Sequence, residues 1–194
     1  MNYAPLAPVA ENHACEKVAH TYARFKELLD QDSLPLPILV LGRSPVLLQD
    51  FFMNSKRFVF TDGKLPARDK ALIGLVVSAT RHSEVWRSFF WERSLQLGWS
   101  AQEANDALAV ASACSMYNAY FKFRDLASRD VFHVLPAGLR AHTFGGTSLQ
   151  EPTVELINVV VCNLNGCAAC VSGHVARVTE LGLGDEAVHE AVQC

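Results

Sequence analysis

The chain has 194 residues, of which 50% are hydrophobic and 19% charged, and its 17 Lys and Arg against 20 Asp and Glu leave a net charge of −3. This composition supports a sizeable buried core and excludes a disordered chain, and the acidic balance excludes a general binder of the nucleic-acid backbone, which needs a basic face. No apolar run approaches the ~18 residues of a membrane span, and the opening Met-Asn-Tyr-Ala-Pro lacks the basic and apolar regions of a secretory signal, so a cytoplasmic protein is expected.

Helix signals dominate. Residues 11–30 carry Val18, Tyr22, Phe25 and Leu29 at three- and four-residue intervals, an apolar stripe that predicts a helix. Ser33-Leu-Pro-Leu-Pro breaks it. Ser44 followed by Pro45 reads as an N-cap with Pro at the first helical position, opening a helix to about Phe60. Thr61 to Lys64 reads as a turn. Residues 66–79 are apolar on several faces and predict a central, buried helix. Residues 84–97 form the next helix, stopped by Gly98. Ser100 and Glu103 spell a capping box for a helix to about Leu126. Residues 128–150 hold Pro136, Gly138, Gly145 and Gly146 and read as a linker with one short turn. Pro152 opens a helix to about Leu164, which Asn165-Gly166 interrupts. A further helix runs from Cys167 to Leu181, and Asp185 caps a last one. Strand-type alternation is absent, so the predicted class is all-α.

Residues 65–108 laid on 149–192 without gaps share ten identities, including Leu65, Leu72, Val76, Arg93, Leu97 and Gly98. Both segments run from an apolar helix through a break to a second helix, Leu-Gly and a capped helix, which predicts a duplicated helical unit. The positions matching Cys167, Cys170 and His174 are Ser83, Trp86 and Phe90, so only the second copy carries chemistry. The expected organisation is one domain: a helical extension at 1–64, a degenerate first repeat at 65–127 and an active-site repeat at 149–194.

The six cysteines are Cys15, Cys114, Cys162, Cys167, Cys170 and Cys194. Cys15 and Cys114 are expected as small buried hydrophobes, and Cys194 as a frayed end. Cys167 and Cys170 form a CxxC. On a helix they share a face, and their sulfurs can reach disulfide distance. His174, four residues beyond Cys170, lies on that face, where an imidazole can take a thiol proton or stabilise a thiolate. Cys167 falls in the first turn, where the helix dipole also favours a thiolate. Glu155, on the preceding helix, can orient His174 if the two helices fold back across Asn165-Gly166. Two other readings stand beside this: reduced core thiols, and a structural zinc held by Cys162, Cys167, Cys170 and His174. Helical positions i, i+3 and i+7 seldom converge on a tetrahedral ion. The remaining histidines, His13, His20, His82, His133, His142 and His189, read as surface residues. Trp86, Trp91 and Trp99 read as packing residues.

Glu155 followed by Asn165-Gly166-Cys167-x-x-Cys170-x-x-x-His174 resembles the signature of the AhpD-like alkyl hydroperoxidases, in the carboxymuconolactone decarboxylase-like superfamily. Residues 115–124 and 183–192 resemble the segments flanking that signature, and 65–78 a repeat opening without cysteines, so the resemblance spans about 65–192. It implies an all-α fold of duplicated helical units assembled as a trimer or hexamer, and thiol-dependent peroxide reduction in antioxidant defence. It assigns Cys170 as the sulfur that peroxide oxidises, Cys167 as its disulfide partner, and His174 and Glu155 as the proton relay. The substrate is then a small hydroperoxide. The reductant is a dithiol, on a lipoyl protein or a thioredoxin-like one, and a peroxiredoxin is a further partner. Sulfur carries the redox chemistry, so no metal or other cofactor is expected, nor a nucleic-acid or membrane partner.

This sequence departs from that family in having Ala168 and Ala169 where a further His stands between the cysteines, which is expected to weaken or alter peroxide reduction. It also has Cys194 where the family continues into a long helix, which is expected to change oligomer packing. Two alternatives to the peroxidase remain: a thiol–disulfide oxidoreductase without peroxidase activity, and a non-catalytic member that binds a ligand or partner in the same cavity. A decarboxylase is disfavoured because that chemistry needs no CxxC.

Overall fold

The stripe of Val18, Tyr22, Phe25 and Leu29 becomes the buried face of helix α1, Glu16–Leu29. A computed structural model describes residues 7–194, in two compact units that divide between Thr61 and Asp62. In the first, α1 packs against α3, Pro45–Asn54, with Phe25 and Phe52 meeting edge to face at 5.0 Å. The prolines at 35 and 37 do not simply break the chain. They open a short helix, α2, Leu36–Leu41, because Pro lacks only a backbone N–H that a first helical turn leaves unpaired anyway. The Tyr22 hydroxyl donates to the Leu39 carbonyl at 3.0 Å, and Gly42 lies so close beneath it that a Cβ would stand 2.0 Å from the hydroxyl oxygen. Helix α3 continues into a wider π turn at Ser55–Val59. Ser44 stands at its N-cap without a side-chain hydrogen bond. Cys15, expected inside, is exposed at the N-cap of α1.

The second unit is built around α4, Ala67–Thr80. Its apolar residues point in every direction because α5 (Glu84–Gln96), α6 (Ala101–Leu126) and α8 (Glu151–Asn165) all pack on it. Leu72, Leu75 and Val76 are wholly buried, each contributing about 1.5–3 kcal/mol of transfer free energy. Gly74 admits α5 at close range: a Cβ there would sit 2.7 Å from the Phe90 ring. The predicted capping box is present at the start of α6. Ser100 Oγ accepts from the Glu103 N–H at 3.1 Å, and the Ser100 N–H donates to the Glu103 carboxylate at 2.8 Å.

The segment after α6 holds the short helix α7 (Val131–Val134) and a 3-10 turn at His142–Gly145. It is tied down. Tyr117 donates to the Arg140 carbonyl and meets Phe144 edge to face at 5.4 Å. Asp106 accepts from the Ser148 N–H and hydroxyl at 2.7 and 2.6 Å. Helix α8 ends at Gly166, whose φ of +67° reverses the chain at little cost to a residue without a Cβ. Helix α9, Ala168–Glu180, then folds back on α8. The last helix, α10 (Asp185–Gln193), has Gly184 rather than Asp185 at its N-cap. A core of Leu65, Ile73, Leu156, Val159, Val178 and Val188 joins these elements. Cys194, expected to fray, is half-buried with its thiol 3.8 Å from the Lys70 carbonyl. No strand occurs among the described residues: the protein is all-α. No helix among them is long and apolar enough to cross a membrane.

Candidate active site

The reversal at Gly166 sets the site. It leaves Cys167 at the N-cap of α9, one residue outside the first turn, and Cys170 inside it. The two sulfurs are joined in a disulfide, with their Cα atoms 5.3 Å apart. Cys167 is wholly buried. Cys170 is half-buried and lines a cavity of about 600 Å³, within the range of small-molecule sites. Glu155 and His174 line the same cavity, because the α8–α9 hairpin turns the face of α8 that bears Glu155 toward the face of α9 that bears His174. Glu155 Oε2 and His174 Nδ1 are 2.6 Å apart. The structure therefore brings all four predicted site residues together.

The Cys162 sulfur is near enough to the His174 ring to act on its charge. Burial works against the imidazolium, but the hydrogen bonds and negative charge of Cys162 and Glu155 outweigh it and raise the His174 pKa to about 9. His174 is thus a cation at neutral pH, paired with the Glu155 carboxylate.

Two residues of the site escaped the sequence reading. Cys114, on α6, lines the cavity beside Cys170, and its sulfur is 3.4 Å from that of Cys162 on α8. Asn118, one turn beyond Cys114, donates from Nδ2 to Cys162 Sγ at 3.1 Å. The hydrogen bond from Cys114 pulls the Cys162 pKa down; burial opposes this, and the hydrogen bonds from His174 and Asn118 reinforce it. The contact with Cys162, together with burial, pushes Cys114 up. Spacing was the signal available for Cys162: it stands seven residues after Glu155, on the same face of α8. Nothing local marked Cys114, whose partner is 48 residues away.

The rest of the cavity wall comes from the tied-down segment, through Ala137, Leu139, Ala141 and Phe144. That stretch, expected to be a linker with one short turn, makes the cavity mostly apolar. Among the described residues no group of three or more His, Cys, Asp and Glu stands in metal-holding geometry. The zinc alternative would have to use Cys167 and Cys170, which are bonded to each other.

An all-helical unit thus carries a disulfide at a helix start, with a Glu–His pair and Cys170 lining one apolar cavity. The chain belongs to the carboxymuconolactone decarboxylase family, whose model matches residues 47–128 and 132–193. Within it the chain is AhpD-like. It is 33% identical over 128 residues to the alkyl hydroperoxide reductase AhpD of Azorhizobium caulinodans, covering 64% of this chain and 70% of that protein. The AhpD protein of Methylocella silvestris is 28% identical over 152 residues, 78% of this chain and 84% of its own length. That of Anaeromyxobacter sp. is 36% identical over 90 residues, 46% of this chain and 49% of its own length.

Proposed function

We propose that this protein reduces alkyl hydroperoxides through a dithiol–disulfide cycle of Cys167 and Cys170, with His174 and Glu155 as its proton relay. The reading is carried by the convergence of Cys170, His174 and Glu155 on one apolar cavity, and the named relatives support it. In the reduced protein the Cys170 thiolate attacks the distal peroxide oxygen. An S–O bond forms, the O–O bond breaks, and the alkoxide leaves with the His174 proton. The Cys167 thiol then attacks the sulfenic sulfur, and water leaves as the disulfide closes. An external dithiol, lipoyl or thioredoxin-like, restores both thiols by exchange at Cys170, the sulfur that the cavity exposes. A peroxiredoxin is a further partner in this reading. Ala168 is exposed and Ala169 lines the cavity, so no second imidazole stands between the cysteines and His174 carries the proton transfer. The first repeat, with Phe90 packed on Gly74 where the second has His174 and Asn158, serves as scaffold.

The test is consumption of an alkyl hydroperoxide by the purified protein with dihydrolipoamide as reductant. Turnover supports the reading. Thiol–disulfide exchange without peroxide consumption replaces it with the oxidoreductase alternative.

The relay has a pH signature. A pKa raised to about 9, from about 6.5 in an unfolded chain, means that His174 stabilises the fold fully below pH ~6.5 and that this contribution is lost as pH rises through about 9. Proton donation to the alkoxide fails over the same upper limb. The expected result is a His174 ring titration, read by NMR, with its midpoint near 9, and a peroxidase rate that falls through that midpoint. Glu155→Gln removes one acceptor and moves both downward. An unmoved midpoint would exclude Glu155 from the relay.

Assembly is part of the same reading. Helix α4 is covered within its own unit, so its all-round apolarity is not the surface on which subunits would meet. Large apolar side chains stand exposed instead at Phe123, Leu126, Val131, Val134 and Leu135, with Leu126 at 76% and Val134 at 79%. Exposed apolar side chains gathered in one stretch of chain favour burial in an oligomer. Light scattering should give a trimer or hexamer of the 21.3 kDa chain; a monomer at micromolar concentration removes this part of the proposal.

A further inference from the structure

We propose that Cys114 and Cys162 are a second peroxide-reducing dithiol, built into the same cavity and closing a disulfide between α6 and α8. The inference rests on the peroxide reading above and extends it to a second pair of sulfurs. Four observations carry it. The two sulfurs lie 3.4 Å apart across the packed helices α6 and α8. Cys114 lines the cavity together with Cys170, so an oxidant reaching one reaches the other. Asn118 donates to Cys162 at 3.1 Å, and the charge of His174 acts on the same sulfur, which is the environment a thiolate requires. And neither Cys114 nor Cys162 is bonded to another cysteine, so both are available to form a disulfide.

The chemistry balances within these groups. The cavity-facing Cys114 sulfur attacks the distal peroxide oxygen as its proton passes to Cys162. An S–O bond forms, the O–O bond breaks, and the alkoxide leaves with the His174 proton. Cys162 then returns its proton to His174 and attacks the Cys114 sulfenic sulfur. The S–S bond forms, and hydroxide leaves as water with that proton. Two electrons pass from two thiols to one hydroperoxide, giving an alcohol, water and a disulfide. His174 thereby serves both pairs, and the fully reduced chain can discharge two hydroperoxides before it needs a reductant.

The test is a thiol map of the reduced protein after exposure to cumene hydroperoxide, read by alkylation and peptide mass spectrometry. In the Cys167→Ser/Cys170→Ser variant, Cys114 and Cys162 should lose alkylation together and a cross-linked Cys114–Cys162 peptide should appear. The same peptides read in the wild-type chain guard against a variant that folds poorly. There the cross-link should form at lower peroxide than oxidation of Cys15, an exposed thiol outside the site. Wild-type protein in which Cys167 and Cys170 are oxidised while Cys114 and Cys162 stay alkylatable overturns this inference and leaves the CxxC cycle standing. Sulfinic acid on Cys114 or Cys162 without the cross-link overturns it as well. If none of the four thiols reacts, the peroxide reading itself falls, and this inference with it.

Discussion

Replacing Cys170 with Ser should abolish peroxide turnover by the CxxC pair and remove the sulfenic acid that dimedone traps at that pair, whereas Cys167→Ser should leave a trappable sulfenate on Cys170 that cannot turn over. Two effects compete for the role of attacking sulfur. Cys167 stands at the N-cap of α9, where the helix dipole is worth about 0.3–1 kcal/mol to an anion. Cys170 has His174 one turn beyond it, and a charged imidazole shifts a thiol by whole pKa units, each about 1.4 kcal/mol. Access adds a second argument. Cys167 is wholly buried, while Cys170 lines the cavity, so a peroxide meets Cys170 first. The chemistry then requires Cys167 only for the second step, which is why its loss strands the sulfenate. Dimedone labelling with peptide mapping decides the matter. A sulfenate that vanishes in Cys167→Ser and survives in Cys170→Ser reverses the roles and makes the helix terminus the activating group.

The largest effect on stability is expected at Glu190. Lys70 is wholly buried on α4, and its ammonium lies 2.9 Å from the Glu190 carboxylate of α10. That carboxylate also accepts from the Leu65 N–H at 2.7 Å. Burial alone would raise the Glu190 carboxyl, but the hydrogen bonds from Lys70 and Leu65 outweigh it and hold the carboxyl below its usual range. Gly63 completes the arrangement, since a Cβ there would stand 1.9 Å from Glu190 Oε1. Glu190→Gln takes the carboxylate away from the buried Lys70 ammonium, and breaking a buried pair in this way costs about 3–5 kcal/mol. At roughly 2–4 °C per kcal/mol for a domain of this size, Tm should fall by about 6–20 °C. Lys70→Met in the Glu190→Gln background should restore part of the loss, because it removes the buried charge. The sign with pH follows from the lowered Glu190 pKa: the stabilisation is present above the unfolded carboxylate range and is lost as pH falls through the folded value. Thermal unfolding of the wild type and the two variants measures this. A Glu190→Gln chain as stable as the wild type would show that the pair contributes nothing.

The helices were legible because each leaves a local trace. Val18, Tyr22, Phe25 and Leu29 mark a face by period, and Ser100 and Glu103 mark a start by their mutual hydrogen bonds. The core of the site was legible for the same reason. Cys167, Cys170 and His174 repeat at helical spacing within eight residues, and Asn165-Gly166 announces the reversal that returns Glu155 to them. Helix α2 was missed because prolines read as breaks unless the turn they open is known to be the first of a helix. The lysine at 70 reads in sequence as one charge on an apolar helix; only the arrival of α10, 120 residues on, makes it half of a buried ion pair. The segment after α6 reads as a linker because it has no period of its own; hydrogen bonds to α6 turn it into a cavity wall. Cys114 and Cys162 each look like a solitary apolar thiol. Sequence by itself determined the helical class, the CxxC face and its histidine, since those depend on residues within a turn or two of one another. Tertiary structure alone decided the cavity, the Cys114–Cys162 contact and the charge on His174, because each arises from groups that only packing across α6, α8 and α9 brings within hydrogen-bond reach.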